Sequence, residues 1–158
     1  MIEIKAPNPQ IVEHNLIKIF LAGSIEMGTA ENWQERIVDE FKDSDFIFFN
    51  PRRDNWDSSI EQSKDNEAFA EQVNWELDGL EYADVVVFYF DPNTKSPISL
   101  LELGLVAGKA NEYGITVIVC CPDGFYRKGN VEIVCDRYFG LHLVHTFEDL
   151  IWSIKCIA

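Results

Sequence analysis

Cations are scarce in this chain. Its 158 residues include 13 lysines and arginines against 27 aspartates and glutamates, a net charge of −14. Such a surface repels a nucleic-acid backbone or an anionic membrane, so neither is expected as a partner. A nucleoside, which offers sugar and base without strong charge, stays compatible, although solubility alone accounts for most of the acidity. Histidine is scarcer still. His14, His142 and His145 lack the spacing of a metal site, and none reads as a catalytic base. Cys120, Cys121, Cys135 and Cys156 contain no CxxC pair. Successive strand residues point to opposite faces, so Cys120 and Cys121 are not expected to chelate one metal together. All four are expected to be buried thiols in a reducing compartment. There is no uninterrupted apolar stretch of membrane-spanning length. Met1 to Asn15 has few apolar residues and two prolines, unlike a signal peptide. A cytoplasmic location is expected. Repeats, low-complexity tracts and inter-domain linkers are missing as well.

What is present suits a globular fold. Apolar residues make up 47% of the chain and aromatics 13%, enough for a substantial core in a single domain spanning 1–158. After a loose start, Leu16 to Ala22 reads as a first strand ending in Gly23-Ser24. Trp33, Ile37 and Phe41 mark a helix face. Phe46 to Phe49 is a second strand, closed by Asn50-Pro51. A helix from about Asn66 to Tyr82 places Phe69, Val73, Leu77 and Leu80 on its core side. Val85 to Phe90 is a third strand, apolar throughout and therefore buried on both faces. Ser96-Pro97 then stand as N-cap and first residue of another helix. Ile115 to Cys120 and Leu141 to Val144 complete five strands, with a weak helical stretch between them, and Phe147 to Ile154 is a last helix. Strands alternating with helices predict an α/β, flavodoxin-like, doubly wound five-stranded parallel sheet in the order 2-1-3-4-5.

That topology brings three loops to the carboxyl edge of the sheet, where open α/β sheets bind ligands. They are Gly23 to Gly28, Asn50 to Asp57 and Asp91 to Ser99, and they carry Ser24, Glu26, Arg52, Arg53, Asp54, Asp57 and Asp91. Just beyond lies Ser99-Leu100-Leu101-Glu102-Leu103-Gly104, one carboxylate inside a greasy helix start. A charge there is costly unless compensated, and it lies past the first turn, where the helix dipole fades. Glu102 is therefore the foremost candidate, and Ser99, three residues earlier on the same face, could donate to it. Glu76 lies beside the apolar face of its helix, where pattern alone favours a solvated rim. The Gly23-to-Gly28 turn matches neither GxGxxG nor the P-loop. It suits a close backbone approach to sugar or base as well as a turn that simply needs glycine. Arg52 and Arg53 read as partners of the many carboxylates. Trp33 and Trp75 read as core, and Trp56, in a polar loop, as a base-stacking platform.

At these residues the chain resembles the nucleoside 2-deoxyribosyltransferase family, in its deoxyribosyltransferase-like branch. The likeness spans about Ile17 to Val119 and rests on KIFLAGS, WELDGLEYADVVVFYF and PISLLELGLVAGKA in that order. It implies a flavodoxin-like fold and a glutamate nucleophile at Glu102. It also implies exchange of the base on a 2-deoxyribonucleoside by a retaining double displacement, without metal or organic cofactor. The family's aspartate before the third strand aligns with Glu76, and its strand-1 glycine loop with Gly23 and Ser24. The family's aspartate six positions before the nucleophile is Ser96 here, which leaves Asp91 as the nearest upstream carboxylate. Related 5′-monophosphate glycosidases follow GSI with arginine and glycine. Glu26-Met27-Gly28 stands there instead, in favour of an uncharged nucleoside unless Arg52 or Arg53 compensates. The site expected is thus Glu102, Glu76 and Asp91 for chemistry, with Gly23, Ser24, Asp54, Trp56 and Ser99 binding substrate. Nucleoside and free nucleobase are the expected partners, and the resemblance implies a homo-oligomer. Two alternatives stay open: an N-glycosidase acting on nucleosides or their monophosphates, and a non-catalytic nucleotide-binding module.

Overall fold

Six strands form one parallel sheet in the computed structural model, which describes residues 1–10, 15–53 and 55–157. In chain order the elements are β1 (Ile2–Lys5), β2 (Ile17–Gly23), α1 (Trp33–Glu40), β3 (Phe46–Asn50), α2 (Glu67–Tyr82), β4 (Val85–Tyr89), α3 (Pro97–Tyr113), β5 (Thr116–Cys120), α4 (Lys128–Arg137), β6 (Leu141–Val144) and α5 (Phe147–Lys155). The sheet order is β1-β3-β2-β4-β5-β6, with every neighbouring pair parallel. The five strands other than β1 run in the expected order.

The sixth strand corrects the expected count. Ile2–Lys5 is not a loose start but an edge strand, in register with β3 from Ile2 opposite Ile47 to Lys5 opposite Asn50. Its alternation, Ile-Glu-Ile-Lys, is that of a half-buried edge, and four residues are too few for the period to stand out.

Alternation within the strands divides the core into two layers. Phe20, Ala22, Ile47, Phe49, Val86 and Phe88 face a cluster that takes in Trp75 and Leu80 of α2, Leu103 and Val106 of α3 and Val131 of α4. Ile19, Leu21, Phe48, Val85 and Val87 face the opposite cluster, with Trp33 and Ile37 of α1 and Leu150 and Ile154 of α5. Burying one such aliphatic side chain contributes about 2 kcal/mol, so each helix is held by its stripe rather than by propensity.

Two helices turn differently from their apolar pattern. On α2 the buried residues are Gln72, Trp75, Gly79 and Leu80, while Leu77 is 40% exposed. The expected Phe69-Val73-Leu77-Leu80 face is therefore rotated. Gly79 permits this, because a Cβ there would run into the Phe20 ring, and the Trp75 indole N–H anchors the turn on the Asn8 carbonyl at 2.7 Å. On α3, Ser99, Glu102, Leu103, Val106, Ala107 and Ala110 are buried, while Ile98, Leu101 and Leu105 face outward. Cys156 is also corrected. It is exposed, whereas Cys120, Cys121 and Cys135 are buried, with burial pushing their thiols up to about 12, 11 and 12.

Candidate active site

Two of the three loops, those after β2 and β4, meet at Ser24. Wholly buried at the end of β2, its Oγ accepts the Asp91 N–H at 2.9 Å, the Thr94 hydroxyl at 2.9 Å and the Ser96 hydroxyl at 2.6 Å. Its carbonyl accepts the Trp33 indole N–H at 2.9 Å. Gly23, one residue earlier, has φ +130°, and a Cβ there would strike the Tyr89 backbone. Glycine is thus what lets β2 and β4 approach so closely.

A second clasp lies beside the first. The Glu26 carboxylate accepts the backbone N–H groups of Lys95 at 2.7 Å and Ser96 at 2.8 Å. Ser96 does occupy the N-cap position of α3 with Pro97 after it, but it is left-handed and its hydroxyl makes no cap bond. That hydroxyl serves Ser24 instead, which corrects the capping role expected of it. Asp91 is similarly committed. One carboxylate oxygen accepts the Glu31 N–H at 3.1 Å, and the other accepts the Asn93 N–H at 2.8 Å and its side-chain amide at 3.0 Å. With both oxygens occupied as acceptors, Asp91 organises the β4–α3 loop.

Helix α3 also carries one of a pair of carboxylates, with the other on α2. Glu102 sits on the core side of α3, only 8% exposed, and burial with the neighbouring Glu76 charge pushes it up to about 8. Glu76 keeps a little contact with solvent, yet loss of water raises it to about 7 against the opposing pull of a hydrogen bond from Gln72. The Glu76 charge thus disfavours ionisation of Glu102, while Glu76 itself is raised by loss of water. Ser99 is buried one turn before Glu102, but no hydrogen bond joins the two. The expected orienting bond is absent from this arrangement.

The loop after β3 closes the other side. Gln72 donates to the Pro51 carbonyl at 3.0 Å and to Glu76 Oε1 at 2.8 Å, and its own oxygen faces Arg53 at 3.5 Å. Arg53 also lies over the Trp56 ring, 5.4 Å from its centroid, with Glu71 3.8 Å away. Asp54 lies outside the described residues. Gln72 and the Glu26 clasp were not foreseen. Gln72, one helical turn before Glu76, carried the signal of an i,i+4 glutamine–carboxylate pair. A cavity of about 540 Å³ at the opposite edge, between Leu77 and Tyr82 of α2 and Leu105 and Tyr113 of α3, holds neither carboxylate. Among the described residues no group of three or more His, Cys, Asp or Glu side chains is placed to hold a metal, and no helix is long and apolar enough to cross a membrane.

A family model described as "Nucleoside 2-deoxyribosyltransferase like" matches residues 16–125. The chain belongs to that family. The match contains β2, the β3 loop, Glu76 and Glu102, and ends before α4, so the whole carboxylate site lies within it. Membership points to nucleoside-related transferase chemistry. Among solved structures, the crystal structure of a conserved protein from Enterococcus faecalis V583 is similar, with a TM-score of 0.63. It is 17% identical, with 90% of this chain and 99% of that one covered, a likeness of fold. A search of the curated proteins found no match.

Proposed function

We propose that the protein transfers a 2-deoxyribosyl group between nucleobases through an ester on Glu102. The observation that carries this reading is the pair Glu76 and Glu102, close enough that the Glu76 charge raises the buried Glu102. A retaining displacement needs one ionised and one protonated carboxylate. Glu102 is raised further than Glu76, so the reactive form, with Glu102 ionised and the proton on Glu76, is the minor of the two singly protonated forms near neutrality.

In the first half-reaction the ionised Glu102 oxygen attacks the anomeric carbon. The carbon–nitrogen bond breaks, its electron pair goes to the base, and the proton on Glu76 passes to that nitrogen. In the second, Glu76 takes the proton of the incoming base, whose nitrogen displaces the ester and restores both the β-configuration and free Glu102. Two displacements at one carbon give overall retention. Trp56 serves as the stacking face for the base. Gly23, Ser24 and Ser99, all buried, act from beneath the sugar by shaping the backbone around it, and Asp54 belongs to the same substrate-binding reading. Asp91 acts by holding the loop that carries α3. Self-association into a homo-oligomer belongs to the same reading and is measured by analytical ultracentrifugation.

Intact-protein mass spectrometry after incubation with a panel of 2′-deoxynucleosides tests the proposal. The expected result is an added mass of one deoxyribosyl unit, absent in Glu102→Ala and discharged by a second base. Discharge by water alone assigns the chain to hydrolysis. No adduct and no base release with any nucleoside or monophosphate, with ligand affinity unchanged in Glu102→Ala, overturns the enzyme reading in favour of a binding module.

A further inference from the structure

Gln72 is nine-tenths buried in the middle of an amphipathic helix, where an aliphatic residue would ordinarily pack. Its side chain is fully used. The amide nitrogen has two hydrogens, and each has an acceptor: the Pro51 carbonyl at 3.0 Å and Glu76 Oε1 at 2.8 Å. The amide cannot be turned over, because its oxygen would then face two acceptors, and the Arg53 guanidinium, 3.5 Å from the oxygen, favours the observed orientation. The three partners belong to different parts of the site. Pro51 and Arg53 lie on the loop with Trp56, and Glu76 lies on α2 opposite Glu102.

We propose that Gln72 is a positioning residue for proton transfer. By occupying Oε1 of Glu76 with an N–H donor, it restricts any proton on that carboxyl group to Oε2, and it ties this geometry to the Arg53–Trp56 loop. The inference rests on the proposed transfer reaction and deepens it: Glu76 delivers its proton to the departing base only while Gln72 holds the other oxygen. The charged groups around Glu76 are Glu102 on α3 and, beyond Gln72, Arg53 with its partner Glu71. Among these Gln72 is the neutral donor that favours ionised Glu76. Glu76, the lower of the two carboxylates, sets the acidic limb of the pH–rate profile, so loss of this donor raises Glu76 and moves that limb upward.

The test compares two substrates in wild type, Gln72→Met, Glu76→Gln and the double variant. One is a natural 2′-deoxynucleoside, whose base must be protonated to leave. The other is an aryl 2-deoxyriboside bearing a nitrophenol, which leaves without a proton. Gln72→Met keeps length and volume and removes both donors. The expected outcome is a fall of about tenfold or more in kcat on the deoxynucleoside, with a much smaller fall on the aryl glycoside. The acidic limb shifts up, and Gln72→Met adds no further substrate discrimination once Glu76 is Gln. Equal losses on both substrates with an unmoved limb overturn the proposal and leave the transferase reading standing. Should Gln72→Met fail to fold, Gln72→Glu serves. Its shape is the same, but one O–H cannot satisfy both acceptors, so the same discrimination is expected. A carboxyl-carbon NMR titration of Glu76 reads the same contact without turnover, and an unchanged titration in the variant overturns the proposal even if no substrate reacts.

Discussion

Leu101 and Glu102 are neighbours with inverted burial: the leucine is 61% exposed and the glutamate 8%. Rotating α3 by one residue would bury the leucine and solvate the carboxylate. The helix does the opposite because Ser99, Leu103, Val106 and Ala110 fix the face that packs on the sheet, and Glu102 lies on it. A buried carboxylate facing a second one is a liability for stability and an asset for proton-dependent chemistry.

That liability depends on pH in a definite direction. Glu76 and Glu102 titrate above the ordinary 4.5, at about 7 and 8. The folded chain therefore binds more protons than the unfolded chain between those limits, and the unfolding free energy falls as pH rises through them. Stability from this pair is present near the ordinary carboxylate value and is lost by pH 8 or above. Glu102→Gln, which mimics the protonated form, is expected to raise the urea midpoint at about pH 8.5 and to change it little at about pH 5. Equal effects at both pH values would contradict the raised pair.

Glu26 and Ser96 are both held at φ 44°, a conformation that costs a non-glycine residue about 1 kcal/mol or more. The clasp between them offsets that cost. Glu26→Ala removes two charge-assisted acceptor contacts, to Lys95 and Ser96, and leaves the left-handed Ser96 unsupported. A loss of about 2 kcal/mol in urea unfolding is expected. Amide exchange at Lys95 and Ser96 should accelerate together, and a loss below about 0.5 kcal/mol would mean that the Ser24 junction alone holds the loop.

Trp56 is argued from stacking. The guanidinium over one part of its ring, with 5.4 Å between them, fixes the indole without covering it completely. Trp56→Ala should raise KM for nucleosides about tenfold and leave kcat nearly intact, because stacking stabilises ground and transition states alike. A fall in kcat at constant KM would assign the ring to orientation rather than binding.

Much of the fold was legible because buried strands announce themselves. Val85 to Phe90 and Phe46 to Phe49 are apolar at every position, and only a sheet covered on both faces uses such runs. Glu102 was legible for the matching reason, a charge where the pattern demands none. Glu76 was harder. Phe69, Val73, Leu77 and Leu80 make a plausible apolar face, and the true one, through Gln72, Trp75, Gly79 and Leu80, contains an amide and a glycine. Helical periodicity weighs hydrophobicity alone, so it could not see that Gly79 gains more by close packing than Leu77 by burial. Edge strand β1 and the Glu26 clasp were hidden by shortness and by sequence separation. Nothing local to Glu26 marks a partner 70 residues away.

Gly79 offers a way to test this rotation of α2. A Cβ at this position would overlap the Phe20 ring and press on the Gln10 amide. The helix backbone itself gains from alanine by about 1 kcal/mol, so propensity and packing predict opposite signs. The Phe20 ring is wholly buried beneath Trp75, their centroids 6.0 Å apart, and has little room to yield. Packing should win, and Gly79→Ala is expected to destabilise by about 1–3 kcal/mol in urea. Because α2 carries Glu76 one turn before Gly79, the same variant should move the helix off β2 and admit water to the carboxylate pair. Both titrations then fall towards 4.5, read by NMR of the carboxyl carbons. A stabilised protein with unchanged carboxylates would show that α2 sits farther from the sheet, with room for a Cβ at position 79.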